Sequence, residues 1–188
     1  MLDKQQHSKI LIEKFSNNSI LINDKYNEII IDSNEVLNII RELKENKNFK
    51  YDQLIDLTAI DYPAREKRFD LVYILLSMTE NKRIVVKTSL SDGQSIDSIT
   101  SIHKAANWYE RECYDLFGTI FLNHPDLRRI MTDYNFEGHP LRKDFPLTGH
   151  TEVRYDDLEK KVIYEPVKLT QEYRNFDYMS PWEGIENN

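Results

Sequence analysis

Residues 119 to 188 constrain this chain more than any other stretch, because 70 consecutive residues run without a convincing helical or strand period. A stretch of that length without secondary structure is uncommon inside a compact domain and is either disordered or functional. Composition separates the two. Disordered segments are poor in aromatic residues, whereas this one holds 10 of the chain's 21 aromatics and 5 of its 6 prolines. Prolines hold the backbone extended, so the segment cannot bury ten rings against itself. The expectation is an arm that becomes ordered by wrapping over a partner protein, since the domain before it has little spare surface.

That domain, residues 1 to 118, reads as α+β. Ile10, Leu11 and Phe15 suggest a helix over residues 3 to 15. SILI at 19 to 22 and YNEIII at 26 to 31 flank Asn23-Asp24 as a hairpin would. Asp32 and Glu35 form a variant of the capping box, followed by an apolar stripe at Val36, Leu37, Ile40 and Leu43. The apolar runs LIDLTAI, FDLVYILLS and RIVVKTSL then predict an antiparallel meander with the second strand central. Asp97 or Ser98 is placed to cap a long final helix whose apolar residues 99, 102, 106, 109, 113, 116 and 117 share one face. Gly118 ends it, as the residue that best tolerates a left-handed backbone. The expected architecture is a two-layer sandwich, a mainly antiparallel sheet with helices on one face, followed by the long extended C-terminal arm.

Trp108 falls on the outer face of the final helix among Lys104, Arg111, Glu112 and Asp115. A large ring there implies that the arm or another chain covers this second face. The arm's nine bases and thirteen acids are interleaved rather than blocked, as in DLRR, LRKD and EVRYD. Pairs of this kind, once desolvated, fix register and reject wrong partners more than they add affinity. Arg128, Arg129 and Arg142 are the leading candidates, because a planar guanidinium suits bidentate pairing with a carboxylate.

Evidence for chemistry of the chain's own is thin. A net charge of -7 argues against nucleic acid and anionic membrane surfaces. One cysteine cannot build an iron-sulfur cluster or a several-thiolate zinc site. No run approaches the roughly 20 apolar residues that span a bilayer. The five glycines are scattered and form no phosphate cradle. His103 and Cys113 could be imagined as base and nucleophile, but on one helix they stand about 15 Å apart. His124 and His139 each precede proline, which suits turn formation better than a shared metal.

The motifs ERECYDLFG at Glu110 to Gly118, HPDLRRIMTDYNFEGHPLRKDFPLTG at His124 to Gly149 and EVRYD at Glu152 to Asp156 resemble the C-type subunit of the proton-pumping NADH:quinone oxidoreductase, respiratory complex I. The similarity continues through EPVKLTQEYRNFDYMSPWEG at Glu165 to Gly184, an ending like that of mitochondrial and related bacterial versions. The resemblance implies a structural subunit of the peripheral arm that binds no cofactor itself. FMN, the iron-sulfur clusters and the quinone site would belong to neighbouring subunits, and the chief partner would be the D-type, quinone-site subunit. It further implies a peripheral position on the cytoplasmic side of a bacterial inner membrane, or the matrix side of the mitochondrial one. The related alternative is a subunit of a membrane-bound hydrogenase-type complex. On these grounds the partner interface is expected to draw Trp108, Glu110, Arg111, Glu112 and Asp115 from the helix. HPDLRR adds His124, Asp126, Arg128 and Arg129, then comes Asp133, and HPLRKD adds His139, Arg142, Lys143 and Asp144.

Overall fold

The computed structural model describes residues 21–23 and 27–169, so the helix expected over residues 3 to 15 lies outside the described residues. Five strands form the main sheet: β1 (Leu21–Asn23), β2 (Glu28–Ile31), β3 (Gln53–Asp61), β4 (Phe69–Ser77) and β5 (Lys82–Leu90). Their spatial order is β1-β2-β5-β4-β3. β4 is central to the β3-β4-β5 meander and antiparallel to both neighbours, while β2 runs parallel to β5 and antiparallel to β1. Helices α1 (Val36–Glu45) and α2 (Ala106–Phe117) pack on one face.

Period-two alternation builds the core. Phe69, Leu71, Tyr73 and Leu75 of β4 point inward, alongside Ile84, Val86 and Leu90 of β5 and Leu57 and Ala59 of β3. A register shift between Leu54 and Asp56 flips the phase of β3, which is why both Leu54 and Leu57 are buried despite their odd spacing. Val36, Ile39, Ile40 and Leu43 of α1 close the layer above. Asp32 makes no side-chain cap bond; a 3-10 turn over Ser33–Glu35 leads into the helix instead.

β3 is an edge strand, and exposed strand edges invite pairing with other chains. Helix α2 covers this edge: the Tyr109 hydroxyl donates to the Ile55 carbonyl at 2.9 Å, and the Cys113 thiol reaches the Leu57 carbonyl at 3.6 Å.

Two further departures from the sequence expectations concern the final helix and the arm. The final helix starts at Ala106 rather than at residue 98. Residues 99 to 106 are wound as successive tight turns, with Ile102 and His103 donating to the Ile99 carbonyl and Ala106 to that of His103. Those turns keep nearly helical spacing, so Ile99 and Ile102 still reach the core. Asp97 instead ends strand β6 (Ser95–Asp97), which pairs parallel with β7 (Ile120–Leu122) just past the helix. The second departure concerns the arm, which does contain a regular element: β8 (Thr151–Asp156) and β9 (Lys161–Pro166) form an antiparallel hairpin.

Contacts divide the chain between Pro146 and Leu147. Gly118 is where helix α2 ends, in the left-handed conformation at φ 80°, but packing against the first unit continues to Pro146.

Candidate functional site

Residues 119–146 are held on the domain by two buried carboxylates. Asp115, in the last turn of α2, is fully buried at its side chain. Its Oδ2 accepts the backbone N–H groups of Ile130, Met131 and Thr132 at 2.7 to 2.9 Å. Its Oδ1 takes the Thr132 hydroxyl and the Arg129 guanidinium, the latter at 2.8 Å. Three consecutive N–H groups aimed at one oxygen form a local anion nest. Burial pushes this carboxyl up, but the bonds from Thr132, Met131 and Ile130 outweigh it and hold it well below the ordinary range.

Asp61, at the end of β3, is the second anchor. Arg68 grips it bidentately at 2.7 and 2.8 Å, and the Lys143 backbone N–H donates to it at 2.7 Å. The Arg68 guanidinium holds the Asp61 carboxyl below its usual value, against the opposing effect of burial. Arg68 also reaches Asp144 at 2.9 Å. Arg142 completes the clasp by donating to the Phe117 carbonyl at 2.7 Å, pairing with Asp92 at 3.1 Å, and lying 5.0 Å over the Phe69 ring.

Gly118 sits between these anchors. A Cβ built there would stand 2.7 Å from the Arg142 guanidinium and from the His139 ring. His139 Nδ1 lies 2.8 Å from the Asp115 carbonyl; an oxygen there requires the proton on Nδ1. His124 and His139 thus serve separate backbone partners, and His124 Nε2 faces the Asn107 carbonyl at 3.1 Å.

The expected interface residues therefore divide. Arg129, Arg142, Lys143 and Asp144 are engaged within the chain, as are Asp115 and His139. Asp133 accepts the Phe136 N–H through its carbonyl, and Glu112 is half-buried on α2. Glu110 points inward, fully covered. Arg111 donates to the carbonyls of Arg128 and Arg129, so the arm covers part of the outer face of α2. It stops short of Trp108, which is 66% exposed. Arg128 and Asp126 pair at 2.8 Å on the open surface. Sequence reasoning missed Asp61, Arg68 and Asp92, because ordinary charges near strand ends carry no local signal of a contact made 50 to 82 positions later.

In the second unit, the register sets Val153 opposite Tyr164 and Tyr155 opposite Val162. These four share one face, and each is more than half exposed. Arg154 and Glu165, paired at 3.0 Å, belong to the other face. A two-stranded ribbon is marginal in water by itself, and this one presents its apolar side to solvent.

Comparison with known proteins identifies the lineage. Residues 29–151 match the family model for the respiratory-chain NADH dehydrogenase 30 kDa subunit. The chain belongs to this 30 kDa subunit family. It is 51% identical over 86% of its length, and 82% of the relative's, to the C subunit of the NADH-quinone oxidoreductase of Cereibacter sphaeroides. Identity reaches 58% over 77% of the chain and 72% of the relative for the protein of the same name from Ruegeria pomeroyi. Two solved structures share the fold at 24% identity. A trypsin-resistant fragment of Nqo5 is covered completely by 66% of this chain, with a TM-score of 0.54. A chain from an archaeal membrane-bound sulfane sulfur reductase is covered to 85% by 76% of this chain, with a TM-score of 0.66. The matched span ends at Thr151, so it takes in both carboxylate anchors and stops where the 30 kDa-family chain begins its hairpin.

Proposed function

We propose that the chain is a non-catalytic structural subunit of the peripheral arm of a proton-translocating NADH:quinone oxidoreductase. The observation that carries this reading, beside family membership, is the hairpin whose apolar face lies open. Burying Val153, Tyr155, Val162 and Tyr164, each more than half exposed, against a neighbouring subunit adds packing to a two-stranded ribbon. The names of these curated relatives support an NADH-quinone oxidoreductase over the hydrogenase-type alternative.

In this reading the domain is the base and the carboxylate clasp fastens residues 119–146 to it. The chief partner is the D-type subunit that builds the quinone pocket, while FMN, the iron-sulfur clusters and the quinone are held by neighbouring subunits. The contribution to electron transfer is geometric: neighbours are held so that the path from NADH to quinone keeps its distances. Among the described residues no helix is long and apolar enough to cross a membrane, which fits peripheral attachment through the assembly, on the cytoplasmic or matrix side.

Tagging the chain in its host and extracting membranes in mild detergent tests this reading. Co-purification with many polypeptides, iron, flavin and NADH:quinone activity is the expected result. Recovery of the chain alone, free of iron and flavin, overturns it.

A further inference from the structure

Beneath α2 lies a buried polar cluster that plays no part in the clasp. Glu110 has no exposed surface. Its Oε1 accepts the Ile99 N–H at 2.8 Å, and its Oε2 lies 2.6 Å from the Ser98 hydroxyl. Among the described residues the one basic side chain within 4 Å is His124, with Nε2 3.8 Å from Oε2 and its own side chain fully buried. From β4, the buried Tyr73 hydroxyl faces this region and has no hydrogen-bond partner among the described residues. From α2 itself, Cys113 is the nearby titratable group. Asp126 stands beyond His124, its carboxylate directed to the exposed Arg128.

The proton positions on His124 follow from its neighbours. The Asp126 N–H donates to Nδ1 at 3.0 Å, so Nδ1 is an acceptor and the ring proton sits on Nε2, toward the Asn107 carbonyl. The ring is therefore neutral, and adding a second proton would break the Asp126 bond. Neutral Glu110 also fits. Its O–H can donate to Ser98, which can in turn donate to Thr100 Oγ1 at 2.8 Å. Ionised Glu110 keeps the Ser98 and Ile99 donors but leaves a negative charge buried beside an imidazole whose Nδ1 is already an acceptor.

We infer that Glu110 and His124 form a proton-sensitive latch at the root of the arm, closed while Glu110 is protonated and strained once that proton leaves. His124 is the connection outward, because its ring fixes the turn at Pro125 and Asp126 that starts the HPDLRR segment. The direction agrees with burial raising the Glu110 carboxyl from an ordinary 4.5 to about 7, against the hydrogen bonds from Ser98 and Ile99. The folded latch binds the proton more tightly than the opened one, so its stability falls as pH rises between those values.

Amide hydrogen exchange on the full chain, read at Asp126 and Ile99 between pH 5.5 and 7.5 and corrected for intrinsic exchange, tests the latch. Protection at both sites is expected to fall by about tenfold across that range, and Glu110→Gln, which keeps shape and hydrogen bonding, is expected to flatten the dependence. Equal pH dependence in the two proteins overturns the proposal. Carbon-13 NMR of the Glu110 carboxyl in the unsubstituted chain decides independently of how the variant folds: a midpoint near 7 supports the latch, and one near 4.5 overturns it.

Discussion

Asp115 shows how much of the arm's path rests on single side chains. It accepts three consecutive backbone N–H groups, a hydroxyl and a guanidinium. Asp115→Asn puts an amide donor among those donors, and the expected loss is about 3 kcal/mol by urea unfolding. A loss below about 0.5 kcal/mol would show that residues 128–132 find other partners. Because its carboxyl is held below the ordinary range, Asp115 contributes stability that is present above the unfolded carboxylate pKa and is lost as pH falls toward the folded value. Gly118→Ala has two costs, a left-handed backbone for a residue with Cβ and a collision with His139 and Arg142. The expected destabilisation is about 1 to 3 kcal/mol, with new proteolytic sensitivity at Arg142; unchanged stability and cleavage would contradict it. The capping role of Gly118 is legible in the sequence. Its second role is not, because the groups that crowd it come from residues 139 and 142.

Among the elements, the strands of the meander were readable from their alternation, since each has one face in the core. The start of α2 was not, because tight turns at 99 to 106 bury Ile99 and Ile102 as a helix would. β6 and β7 escaped notice because a three-residue strand holds too few positions to show a period. The β8-β9 hairpin escaped for a different reason: its two faces are both largely exposed, so no buried partner sharpens the pattern. Tyr109→Phe tests the covering of the β3 edge. Loss of the bond to the Ile55 carbonyl is expected to cost up to about 1 kcal/mol in chemical unfolding, with faster exchange of β3 amides than of β4 amides. Uniform exchange across both strands would mean that the helix does not protect that edge.

For the whole molecule, the α+β class, the single helical face and the family were all within reach of the sequence, because each rests on local periodicity or on contiguous motif. What the sequence left hidden is how the charged motifs are spent. Arg129 and Arg142, expected at a partner surface, largely fold residues 119–146 onto the chain's own domain, whereas Trp108, the Arg128-Asp126 pair and the hairpin face remain open. A pairwise contact between strand ends and an arm residue far along the chain leaves no trace in either neighbourhood. The open hairpin face, in this reading, serves assembly and no step of chemistry. The decisive experiment replaces Val153, Tyr155, Val162 and Tyr164 together by serine in the host, then measures both the amount of assembled complex and NADH:quinone turnover per assembled complex. The assembled amount is expected to fall severalfold while turnover per complex stays within about twofold; normal assembly with lost turnover would contradict the structural role.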